Sequence, residues 1–136
     1  RIRNVINKYN WKNFHHTAAV LGMFMREIRK PDLNIITAHW VGYASRTDIK
    51  LSGYPKTILA SRDPVGLDYV ATQEILLPLT TSKGGDQWLQ DLNNADNKEG
   101  PFYRFLEACH RQGVGNLRPE KISVVRYQVE KISKVS

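Results

Sequence analysis

Lys56-Thr57-Ile58-Leu59-Ala60-Ser61-Arg62-Asp63-Pro64-Val65-Gly66-Leu67-Asp68 is the stretch on which the reading of the fold turns. It opens as a short apolar, partly β-branched run and then breaks at Asp63-Pro64. An acid that can accept helix N–H groups is followed there by a residue whose fixed φ suits the first helical position. The expectation is a buried strand over residues 56–61 running straight into a helix that continues to about Leu77, where Pro78 closes it.

Working outward, residues 33–38 (Leu-Asn-Ile-Ile-Thr-Ala) are short, β-branched and preceded by Pro31, which predicts another buried strand. Before it, Phe14, Ala18, Leu21, Met25 and Ile28 recur at spacings of three and four, predicting a helix over 14–29 with Asn13 as its cap. Ala19, Val20, Met23 and Phe24 make the other side of that helix apolar too, so it should be packed on more than one side. Residues 39–55 carry Gly42 and Gly53 and read as a loop beyond the end of a strand, where α/β proteins place ligands. On the far side, 79–100 is a polar insertion with one helical turn around Trp88, Leu89 and Leu92. A helix follows Gly100-Pro101 and buries Phe102, Phe105, Leu106 and Cys109; Gly113-Val114-Gly115 ends it, and 122–129 is the last strand. Alternating strands and helices give an α/β fold class, a two-layer or three-layer arrangement of sheet and packed helices. Residues 1–136 are read as a single domain, and the start at Arg1 rather than Met implies either processing or a fragment.

With 41% hydrophobic and 24% charged residues, the composition is that of a globular domain, neither disordered nor collagenous. The longest apolar run, residues 18–25, is far short of the ~20 residues that span a bilayer. A soluble protein is expected, and a lone cysteine suits the cytosol and an exported chain alike. Cys109 also excludes an internal disulfide, and an iron–sulfur cluster or Cys-rich zinc site built from this chain alone. The net charge of +7 is split: residues 1–30 carry seven Lys/Arg against one Glu, whereas 63–100 carry two against seven Asp/Glu. No Lys/Arg run exceeds two and no nucleic-acid-binding signature appears, so binding to nucleic acid ranks below docking of the basic ends on an acidic partner.

Four residues are candidates for a site. Asp63 suits a helix cap, or contact with a ligand or metal at the strand end. Asp68 would emerge from a helix face formed by Val65, Ala71, Thr72 and Ile75; there an unpaired charge costs several kcal/mol, so the carboxylate is either held by an Arg or His or is catalytic or metal-binding. His15 and His16 point ~100° apart on a helix, so one of them, His16 in the candidate set, could serve a site. His39, beside Trp40 at the end of a strand, occupies the better position. His110, with Arg111 at a helix end, is read as structural. No spaced pair of metal ligands, Gly-x-Ser-x-Gly elbow, phosphate-binding loop or dinucleotide-binding turn is present.

Residues 56–72, with Ala60-Ser61, Asp63-Pro64-Val65 and Asp68, resemble the signature of the prokaryotic domain-of-unknown-function 362 family. Further pieces follow in the same order from about His15 to Val129: His15 or His16 before a helix, Leu33-Asn34-Ile35-Ile36, Gly53-Tyr54-Pro55, and Gly113-Val114-Gly115 before a strand. Thr37 stands where the family usually has Asp, and Gly66 where it usually has Ala. The family's upstream half has no counterpart here, so the resemblance implies the C-terminal portion of a longer chain. The resemblance implies an iron–sulfur-associated redox setting, with a ferredoxin-like module on another segment or partner supplying the cluster and no cofactor held by this chain. The rival reading is a non-enzymatic interaction or assembly subunit, contacting the remainder of its own polypeptide or a partner chain. Nucleic-acid binding ranks third.

Overall fold

The computed structural model describes residues 14–45 and 48–129. The first helix, α1 (Phe14–Glu27), sets its small residues against α5 (Pro101–Arg111). Ala18 is fully buried, and a side chain at Gly22 would bring its Cβ to 2.9 Å from Gln112 Cβ, so the two helices approach more closely than any larger residue would allow. The Cys109 thiol donates to the Ala18 carbonyl across this contact at 3.4 Å. α5 is amphipathic as expected: Leu106 and Cys109 are buried, while Phe102 and Phe105 pack half-buried at the margin. The expectation that α1 would be covered on several sides is not met, because Val20, Met23, Phe24 and Ile28 are exposed. Asn13, its expected cap, lies outside the described residues.

The strands are β1 (Asn34–Ala38) and β4 (Thr57–Ser61), paired antiparallel with Ile36 opposite Leu59 and Ile35 opposite Ala60. No helix lies between them. The chain returns instead through a small hairpin, β2 (Val41–Gly42) with β3 (Ser52–Gly53), and a 3₁₀ turn at Ile49–Leu51, so the second long strand runs back beside the first. A parallel crossover needs a dozen or more residues, usually a helix, to carry the chain over the sheet. A mixed helix-and-strand fold is what forms; among the described residues its sheets have only two strands each. Because side chains alternate across a strand, Ile36 and Leu59 face the helices, whereas Ile35 and Ile58 are 59% and 73% exposed. The strands expected to be buried are therefore covered on one face only.

Beyond β4 the cap forms as expected and starts α2 (Pro64–Ala71). The helix does not stop at Pro78. A π turn at Thr72–Leu76 passes into α3 (Leu77–Ser82), with the Leu77 N–H donating to the Thr72 carbonyl five residues back. Proline in a regular helix lacks an N–H and clashes with the carbonyl four residues earlier; here the chain reaches Pro78 straight after a wider turn, where the regular i−4 geometry is interrupted. The polar insertion contains α4 (Gln87–Leu92), whose cap Asp86 accepts from Leu89 N at 2.8 Å. It is tied to the core: Ala95 is fully buried, and Asn93 Nδ2 donates to Thr80 Oγ1 at 2.9 Å and to the Tyr43 carbonyl at 3.0 Å. Val65, Leu106, Cys109 and Leu117 join Ala18 and Ala95 in the central cluster. The strand expected over 122–129 does not form; only a 3₁₀ turn at Pro119–Lys121 precedes it, and Val125, Tyr127 and Val129 are exposed beside no partner strand among the described residues.

Candidate functional site

Asp63 sits where β4 gives way to α2, and both of its oxygens are engaged. Oδ1 accepts from Gly66 N at 2.8 Å and Oδ2 from Asn116 N at 2.8 Å, so one carboxylate caps the helix and holds the loop after α5. Only glycine fits opposite it at position 115, where a Cβ would lie 2.1 Å from Asp63 Oδ1. His110 fastens the same loop from the other side: its Nδ1 is 2.7 Å from the Gly115 carbonyl, which can only accept, so Nδ1 carries a proton. These contacts give Asp63 and His110 structural work.

Asp68 is partly buried on α2, and its charge is felt at the Cys109 thiol. Burial raises its carboxyl from 3.8 to about 6. The Cys109 thiol is raised to about 11, first by burial and then by the Asp68 charge, so it is neutral and a poor nucleophile at neutral pH. The expected Arg or His partner of Asp68 is not found among the described residues, where the ion pairs lie elsewhere on the surface. A half-buried acid that titrates near neutrality can hold or release a proton without a metal or a cation beside it.

His16 is exposed on the first turn of α1, its ring 4.1 Å from that of His15 and tilted by 40°. His15 itself lines a cleft of about 380 Å³ between the starts of α1 and α5 and the helix α4, with Trp88, Leu92 and Pro101 as apolar walls. Arg104 in that cleft is ion-paired with Glu99.

His39 lies just beyond β1, and the hairpin returns Tyr54 to it. The Tyr54 hydroxyl and His39 Nε2 share a 2.5 Å hydrogen bond, with the two rings edge to face at 4.4 Å. The Trp40 ring lies against that of Tyr54, centroids 4.6 Å apart and tilted by 38°, and the Lys56 ammonium lies 4.8 Å from the Tyr54 ring centre. Lys56 has a φ of 55°, the one non-glycine residue with positive φ among those described.

The four candidates are thus separated. No hydrogen bond, ion pair or ring contact joins any two of Asp63, Asp68, His16 and His39, and no three His, Cys, Asp or Glu side chains among the described residues form a metal-binding group. Sequence reasoning missed Tyr54, Lys56 and the influence of the Asp68 charge on Cys109. The signal for the first two was the placement of His39-Trp40 and Tyr54 at the two ends of a loop whose ends meet. Comparison with protein-family models, with curated proteins and with solved structures finds no match for this chain.

Proposed function

We propose that this chain is an assembly unit, whose sheet and first helix receive the remainder of its own polypeptide or a partner chain. The observation that carries this reading is the outer face of the β1–β4 sheet: Ile35 and Ile58 are 59% and 73% exposed on a two-stranded ladder that has no further strand beside it among the described residues. An isolated two-stranded ladder is marginal in water, and covering an isoleucine side chain is worth about 1.5–3 kcal/mol. The exposed residues Val20 and Phe24, one helical turn apart along α1, and Ile28 just past its end add a second apolar strip. The iron–sulfur-associated redox setting belongs, in this proposal, to the docked segment or chain, because Cys109 is the only thiol here and one thiolate cannot hold a cluster. A ferredoxin-like module is the partner it calls for.

The test is a photo-crosslinking side chain placed at position 58, and in a second variant at position 24, in the full-length polypeptide in its native cells. A single defined product, formed with another segment of the chain or with one partner, is expected from at least position 58. Diffuse labelling or none at both positions would overturn the proposal.

A further inference from the structure

The cluster around Tyr54 lies outside the docking reading and has a chemistry of its own. Trp40 rests tilted against Tyr54, yet the residue is 56% exposed, leaving aromatic surface open beside a ring already in contact. Tyr54 cannot swing away easily, because its hydroxyl is bonded to His39 and its ring meets the His39 edge. A platform locked in this way loses little side-chain entropy when a ligand settles on it. Lys56 supplies the third feature. A left-handed backbone costs a residue with a Cβ about 1–2 kcal/mol and persists where the surroundings enforce it, often at ligand sites. Here it holds an ammonium over the Tyr54 ring, and no carboxylate among the described residues pairs with that charge.

We infer that Trp40, Tyr54 and Lys56 bind a nucleobase with its phosphate, the base stacked on the exposed indole and the phosphate held by the Lys56 ammonium. A lysine meets phosphate as a point charge, and stacking accepts any base because each has a π face. The low rank that the dispersed charge gave to nucleic-acid binding concerned a long basic track along a backbone. This site needs one ring and one cation, which the hairpin brings together from separate parts of the sequence. The ligand is a free nucleotide or an unpaired nucleotide in a single strand; in a duplex the bases are stacked within the helix and withheld from Trp40.

The test titrates the whole chain with AMP, with a short fluorescent oligo(dA), with the same oligonucleotide as a duplex, and with inorganic polyphosphate as a charge-only control. AMP or the single strand should bind and the duplex more weakly. Trp40→Ala should weaken binding about tenfold or more. Lys56→Gln should lower the slope of log affinity against log salt by about one. Trp40→Phe, which keeps a stacking face, should recover most of the loss, and a far-UV spectrum like that of the wild type separates lost stacking from lost folding. Binding of AMP identifies a free nucleotide as the ligand, and binding of the strand with no competition by AMP identifies the strand. No binding at millimolar AMP and micromolar oligonucleotide would overturn the inference. So would affinity that Trp40→Ala leaves unchanged, or polyphosphate binding as tightly as the strand.

Discussion

Asp63 and Asp68 lie five residues apart in one helical segment, and their surroundings give them opposite tasks. Asp63 is spent on backbone N–H groups, which is why its cap was legible in the sequence: Asp-Pro after a β-branched run is a local signal, and the Gly66 N–H it caps is three residues away. Its second duty, holding Asn116, was not legible, because nothing local links residues so distant in the chain. Asp68 was legible only as an acid on an apolar helix face; whether a cation met it depended on packing. Burial raises its carboxyl to about 6, so between about pH 4 and pH 6 the folded chain binds a proton that the unfolded chain has released. The stability that protonated Asp68 allows is therefore complete below pH 4 and is lost as pH rises through 6, by about 3 kcal/mol. Asp68→Asn removes the charge and keeps the volume. It should match the wild type near pH 4 and exceed it by about 3 kcal/mol at pH 7, measured by denaturant unfolding at both values. A variant less stable than wild type at pH 7 would mean that a cation holds Asp68 after all.

Elements followed the sequence where punctuation was strong. α1 and α5 begin and end within two residues of their apolar periodicity, α2 begins where its cap predicts, and β1 and β4 lie inside the predicted runs. The sequence misled where a local preference needed a partner to act on. Residues 122–129 have strand-forming side chains, but strand character is a fit to a neighbour rather than a property of the backbone. Pro78 misled in the other direction, since a proline that should end a helix was absorbed by the π turn before it. That geometry can be tested. A proline forced into a regular helix costs ~3 kcal/mol or more, so replacing it with alanine would recover energy on that scale if the helix were strained. If the wider turn at Thr72–Leu76 relieves that clash, Pro78→Ala should change stability by less than about 1 kcal/mol at unchanged helix content by circular dichroism. A gain of several kcal/mol would show that the π turn does not relieve the strain.

At the scale of the whole molecule, apolar surface and net charge pull in opposite directions. The outer sheet face and the strip along α1 favour association, while a net charge of +7 drives copies of the chain apart. Salt separates the two. Screening weakens repulsion between like-charged copies and leaves apolar contact intact, so a chain that self-associates through Ile35 and Ile58 should do so more strongly as salt rises from 0.01 M, where charges are felt over about 30 Å, to 1 M, where they are felt over about 3 Å. If the basic residues 1–30 of one copy were instead docking on the acidic residues 63–100 of another, the same titration would dissolve the complex. Sedimentation of the wild type across this range should show association growing with salt. Ile35→Lys combined with Ile58→Lys should abolish it at every salt concentration without loss of helix content, since both side chains point away from the core and their replacement removes only the exposed apolar face. Association that weakens with salt, or that survives both substitutions, would place the contact elsewhere and leave the sheet face with no role in it.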